Sequence, residues 1–219
     1  MANKNTKNIQ AKQNKSIFII IFIVFIGAIV AYTFMPSKNE SLSNANNNIL
    51  KSKNSFVIGK KDAKIQVVDF FDPACGACGQ SHFFVKDLMD VNKEIQVTLR
   101  YAPLFPDSKR VAILLEATKK QDMFLESLDA TLNSQNKWVG KQKHNFDALL
   151  EIVSNLGLDM QKLKNDMKSS DVINAVEQDI KDKNELGIKR TPTYYINGKL
   201  LEKYSLTNLR DTILNESNK

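Results

Sequence analysis

Apolar side chains are arranged differently in successive parts of this chain, and each arrangement predicts a different element. From Ile17 to Met35 they run almost unbroken as Ile, Phe, Val and Ala, and no charged residue occurs between Ser16 and Ser37. As a helix rising about 1.5 Å per residue, this run reaches across the roughly 30 Å hydrocarbon layer of a bilayer. Residues 38–55 are the opposite, a polar, asparagine-rich stretch that predicts a flexible linker. Phe56-Val57-Ile58 predicts a short edge strand. Ile65 to Phe71 predicts a longer one, and its stretch Val67-Val68-Asp69-Phe70-Phe71 is apolar enough to be buried. Gly79 to Val91 reads as a helix. Ile95 to Tyr101 alternates with the period of two of a strand, which closes before Pro103 and Pro106.

From Ser108 to about Leu186 the apolar positions return at helical spacing, as in Val111, Leu114 and Leu115, in Phe124, Leu125 and Leu128, and in Ile173, Val176 and Ile180. Breaks are expected at Asn136 to Gly140, at Asn155-Leu156-Gly157 and at Ser169-Ser170-Asp171, the last supplying an N-cap for a long helix. Thr193 to Ile196 is again strand-like. Asn197-Gly198 is the strongest short hairpin signal, with Lys199-Leu200-Leu201 as its partner, and an amphipathic helix from about Leu206 to Asn215 closes the chain.

Charge orients this plan. The net charge is +7, and Lys4, Lys7, Lys12 and Lys15 stand without any acid in residues 1–16, so the rest carries 7 − 4 = +3. Such a weak, scattered excess sets nucleic-acid binding aside. Lysines on the N-terminal side of the apolar run keep a basic tail, 1–15, in the cytoplasm, make 16–37 a transmembrane anchor and place the rest outside. Ile26 and Ile29 occupy the −3 positions for cleavage after Ala28 and Ala31, which favours an uncleaved anchor over a signal peptide.

The chain holds two cysteines, Cys75 and Cys78, in the sequence Cys75-Gly76-Ala77-Cys78. An exported domain normally spends cysteines on several structural bridges, and a bridge over two intervening residues removes little unfolded-state entropy. A dithiol at the start of a helix suits redox exchange instead. The first sulfur meets unpaired backbone N–H groups and the positive end of the dipole, so Cys75 is the attacking thiolate and Cys78 the resolving thiol. Asp69 lies in an apolar run and is expected to be buried, the alternative being a strand-edge carboxylate paired with a lysine. Asp72 is expected to cap the helix or to lie in solvent. His82 stands one turn beyond Cys78, but a fourth ligand is missing and His144 is distant, so no metal or other cofactor is expected besides the redox pair itself. Trp138 reads as a packing residue.

Three stretches carry a resemblance: Asp69-Phe70-Phe71-Asp72-Pro73-Ala74-Cys75-Gly76-Ala77-Cys78, the helical block after the third strand, and Gly187-Ile188-Lys189-Arg190-Thr191-Pro192-Thr193-Tyr194-Tyr195-Ile196-Asn197-Gly198. From Phe56 onward the chain resembles the DsbA-like family of thiol:disulfide oxidoreductases. The resemblance implies an α/β thioredoxin fold over 56–219, with a helical insertion at about 108–186 between its βαβ and ββα halves. It implies proton transfer by Asp69 close to Cys78, and a cis Thr191–Pro192 bond that faces the thiols and offers backbone to an extended substrate segment. Thr191 would touch the thiols and help to set their potential. Expected partners are the thiols or disulfides of exported proteins and a membrane redox partner, the domain acting as a monomer and, in the leading reading, as an oxidase. A reductase or isomerase of the same fold, a metallochaperone and a binding module are the alternatives. The strongest oxidases of the family carry Pro and His between the cysteines. Gly76-Ala77 has no side-chain donor, so a less stabilised thiolate and a less oxidising disulfide are expected here.

Overall fold

A computed structural model describes residues 49–50, 52 and 54–217. The expected basic tail 1–15, the anchor 16–37 and most of the linker 38–55 lie outside the described residues. Among the described residues no helix is long and apolar enough to cross a membrane.

The chain forms β1 (Phe56–Ile58), β2 (Ile65–Phe71), α1 (Gly76–Val91) and β3 (Ile95–Tyr101). A helical region follows: α2 (Ser108–Thr118), a 3-10 turn at Lys119–Gln121, α3 (Phe124–Asn133), α4 (Gln135–Trp138), α5 (Phe146–Ser154), α6 (Met160–Asp166) and α7 (Ser170–Glu185). The hairpin of β4 (Thr193–Ile196) and β5 (Lys199–Leu200) and the closing α8 (Leu206–Ser217) complete it. The sheet order is β1-β3-β2-β4-β5, with β2 and β3 parallel and the other pairs antiparallel. This is the thioredoxin arrangement with a helical insertion between its halves. The hairpin turns where Asn197-Gly198 requires it, with φ of 47° and 78°, values that asparagine and glycine tolerate best.

Strand β2 is central because both its faces are covered. Ile65, Val67 and Phe71 lie in the larger core with α1, α2 and α8, while Val68 and Phe70 lie in a smaller cluster with Leu50, Ala102, Ile188 and Tyr195. Leu50 is buried, and the carbonyl of Ile49 accepts a bond of 2.8 Å from the Arg100 guanidinium. The packed chain therefore begins before Phe56, a correction to the expected linker boundary; the apolar Leu50 finds a cluster to join.

Covering both faces also changes β3. Arg100 occupies a polar position of the alternating pattern, yet it is 0 % exposed because α7 lies over that face. Its Nε donates to Asp179 at 2.7 Å, its Nη2 to Asp182 and its Nη1 to Ile49, while the backbone N–H of Tyr101 reaches the other oxygen of Asp179 at 2.8 Å. A buried guanidinium is tolerated only when its donors are met in this way. Ser169 does precede α7, but its hydroxyl donates to the carbonyl of Asp166 and makes no cap bond.

Candidate active site

The turn between β2 and α1 is built around Asp72. One carboxylate oxygen accepts from the N–H of Ala74 at 2.8 Å, and the other accepts from the N–H groups of Leu104 and Phe105. Asp72 is 0 % exposed, which corrects the expectation of a solvent-facing or helix-capping residue. Its job is to hold the turn before Cys75 against the loop after β3, where Leu104 and Phe105 are exposed.

Cys75 occupies the N-cap of α1 without any side-chain cap. The two cysteines are unbonded thiols and both are buried, Cys75 at 7 % and Cys78 at 1 % exposed. Hydrogen bonding from the Cys78 thiol lowers the Cys75 pKa from 9.0 to about 6; burial opposes this, and the N–H groups of Cys78 and Ala77 and the Thr191 side chain assist. Burial pushes the Cys78 thiol well above its ordinary value, and the Cys75 sulfur and the Asp69 charge add to the rise. The two thiols are driven apart, as a nucleophile and a resolving thiol require.

Thr191–Pro192 is cis, and the carbonyl of Thr191 accepts from the Cys75 thiol at 3.4 Å. The structure thus brings Cys75, Cys78, Thr191 and Pro192 to one place. Thr191 and Pro192 also line a groove of about 650 Å³ whose wall includes Lys189, Arg190, Lys203 and Tyr204.

Asp69 lies on β2, 3 % exposed, opposite Tyr194 of β4 and Leu99 of β3. One of its oxygens accepts from the Tyr194 hydroxyl at 3.0 Å; the other has no hydrogen-bond partner. Burial raises its pKa from 3.8 to about 7, against the Tyr194 bond and with a further push from Cys75. Among the described residues no lysine pairs with it, and the carboxyl is buried. Tyr194 and Tyr204 are stacked with centroids 6.1 Å apart, and the Tyr204 hydroxyl reaches the carbonyl of Ala77 at 3.4 Å.

The helical insertion grips α1 at two points. His82 is buried against Asp129 of α3 at 2.7 Å, and Lys86 meets the other oxygen of that carboxylate. Among the described residues no group of three or more His, Cys, Asp or Glu side chains is placed to hold a metal. Nearer the thiols, Gln135 of α4 donates to the carbonyls of Pro73 at 2.8 Å and of Cys75 at 3.0 Å. Sequence reasoning missed Gln135 and Tyr194 and misplaced Asp72; their partners become visible only once the insertion, the loop after β3 and the hairpin have folded back. Trp138 is buried, its Nε1 donating to the carbonyl of Thr131 at 2.9 Å.

A family model described as Thioredoxin matches residues 51–215. The chain is 27% identical over 197 residues to the probable disulfide bond formation protein D of Bacillus cereus, an overlap of 84% of this chain and 87% of that protein. It is 28% identical over 144 residues to the Na(+)/H(+) antiporter NhaA of Herminiimonas arsenicoxydans, an overlap of 65% of this chain. It spans 22% of that antiporter's length and 64% of another curated relative's. Among solved structures, oxidised BdbD from Bacillus subtilis superposes with a TM-score of 0.67 at 20% identity, covering 76% of this chain and 95% of that one.

Proposed function

The chain belongs to the thioredoxin family, and from that membership we propose that it is a DsbA-like thiol:disulfide oxidoreductase that oxidises exported proteins outside the cytoplasm. The observation that carries this reading is the asymmetry of the two sulfurs. Cys75, the slightly less buried of the two and the one that reaches the Thr191 carbonyl, has a lowered pKa, and Cys78 has a raised one.

In the oxidising direction a substrate thiolate attacks Cys75 Sγ of the Cys75–Cys78 disulfide. That bond breaks, its electron pair leaves on Cys78, and Asp69 supplies the proton that keeps the buried sulfur neutral. A second substrate thiolate then attacks the substrate's sulfur in the mixed disulfide, and Cys75 departs as a thiolate. Two substrate thiols are oxidised and the cysteine pair is reduced by two electrons, to be reoxidised by a membrane redox partner. With a pKa near 7, Asp69 serves as donor or acceptor in either direction at neutral pH. Thr191 and Pro192 present backbone to the substrate segment, which lies along the adjoining groove.

The direction rests on the Cys75 thiolate. Its pKa is lowered to about 6, well short of the roughly 3.5 of DsbA. Stabilising the thiolate favours the reduced protein, so the disulfide is less oxidising than that of DsbA. The stabilising groups are Cys78, backbone N–H and Thr191; Gly76-Ala77 contributes no side-chain donor. An uncleaved anchor over 16–37 tethers the domain as a monomer to the outer face of the cytoplasmic membrane. The test is trapping: a Cys78→Ala variant accumulates mixed disulfides on Cys75 in cells, and wild-type Cys75/Cys78 is mainly oxidised by alkylation analysis. Failure to trap any partner would remove the exchange reading, and a mainly reduced pair would turn it to a reductase or isomerase.

A further inference from the structure

We propose that Gln135 is a positioning residue through which the helical insertion sets the reactivity of Cys75, and that Gly79 is glycine to make room for it. The inference rests on the thiol-exchange reading above and deepens it, by naming a part of the molecule outside the thioredoxin core that controls the nucleophile.

The carboxamide nitrogen of Gln135 has two N–H bonds, and both are used: one on the carbonyl of Pro73 at 2.8 Å, one on that of Cys75 at 3.0 Å. The Cys75 carbonyl also receives the N–H groups of Cys78 at 3.0 Å and Gly79 at 3.2 Å, the first bonds of α1. Gln135 therefore binds the turn on both sides of Ala74 and holds the Pro73–Ala74 and Cys75–Gly76 peptide planes. The second of these opens the first turn of α1, whose N–H groups at Ala77 and Cys78 favour the Cys75 thiolate.

The donor is itself held. Helix α4 is a single turn, buttressed by the Ser134 hydroxyl on the carbonyl of Ala130 at 2.6 Å and by Trp138 Nε1 on that of Thr131 at 2.9 Å. On the other side, the amide oxygen of Gln135 lies against Gly79, where a Cβ would stand 3.0 Å from it. Glycine inside a helix costs about 0.5–1 kcal/mol relative to alanine, and Gly79 has no positive φ to justify it. The close approach of Gln135 is what its missing side chain permits. A methyl group there would crowd the amide oxygen and shift the carboxamide by a few tenths of an ångström, straining its bonds to the two carbonyls from the opposite side.

The test compares reduced wild-type protein with Gln135→Ala, Gly79→Ala and the double variant, reading the pH midpoint of Cys75 alkylation by iodoacetamide, the equilibrium with glutathione, and thermal stability. Each single variant is expected to raise the Cys75 midpoint by about half a unit or more, the worth of a weakened hydrogen bond, and to make the disulfide correspondingly harder to reduce. The double variant is expected to move no further than Gln135→Ala alone, because without the carboxamide the methyl group meets nothing. A variant that loses its melting transition is replaced in the comparison by the other single substitution, since the two act from opposite sides. Midpoints unchanged in both folded single variants, or a change in stability alone, would overturn the latch and leave Gln135 a structural contact. Shifts that simply add in the double variant would overturn the assignment of Gly79. A wild-type pair that fails to equilibrate with glutathione would sink the exchange reading instead, and the alkylation midpoints would still decide the latch.

Discussion

Two buried polar groups on neighbouring strands are treated in opposite ways. Arg100 on β3 has its guanidinium fully engaged by Asp179, Asp182 and the carbonyl of Ile49. Asp69 on β2 has, among the described residues, one hydroxyl partner, one oxygen with none, and no cation. The first arrangement removes the cost of burial and fastens α7 to the sheet. The second leaves the cost in place and expresses it as a carboxyl that titrates near neutrality beside two thiols. Satisfied burial makes structure; unsatisfied burial at the thiols makes chemistry.

The sharpest way to break this contrast is at Arg100. Arg100→Ala strands two carboxylates in the interior and is expected to cost about 3–5 kcal/mol in urea denaturation, while the Cys75 alkylation midpoint stays where it is. A large change in that midpoint would show that the two clusters are not separate.

Asp69→Asn is expected to act in the reverse sense. Because the folded pKa is raised from 3.8 to about 7, the native state binds more protons than the unfolded one between those values. Stability therefore falls as pH rises through that window, and the wild-type protein lacks about 4 kcal/mol above it. Melting curves should show Asp69→Asn more stable than wild type at pH 8 and no more stable near pH 4. The same substitution should slow disulfide exchange about tenfold or more, since the proton donor is gone. Equal stability at both pH values would contradict the uncompensated burial of Asp69.

Tyr194→Phe is a smaller change. It removes the one bond that favours the Asp69 carboxylate, so the pH midpoint of exchange should rise by roughly half a unit to one unit, with the rate plateau retained. The smallest effect is expected in the groove beside Pro192, where Lys189, Arg190 and Lys203 stand at the rim. Cysteine peptides flanked by acids should react about two- to tenfold faster than lysine-flanked ones at low salt, with the difference fading as salt rises.

Much of the fold is legible in the residues because local signals and tertiary packing agree. The apolar strand before Cys75, the Asn197-Gly198 turn and the helical block each appear where periodicity and turn chemistry put them. The site is legible to the extent that its chemistry is local or carried by the resemblance: Cys75, Cys78, Asp69, Thr191 and Pro192 meet in space. Arg100 is misleading, since an alternating pattern implies a solvent face and α7 covers it. Asp72 precedes a helix, which invites a cap, yet its oxygens turn to the loop after β3. Gln135 reaches a turn sixty residues away in the chain, and nothing in its own neighbourhood announces that contact.

The most direct measurement is the equilibrium of the reduced and oxidised Cys75/Cys78 pair against glutathione, followed by alkylation. A thiolate held by Cys78, backbone and Thr191, without help from Gly76-Ala77, predicts one two-electron transition below about −120 mV, where DsbA lies. A potential at or above that of DsbA would contradict it.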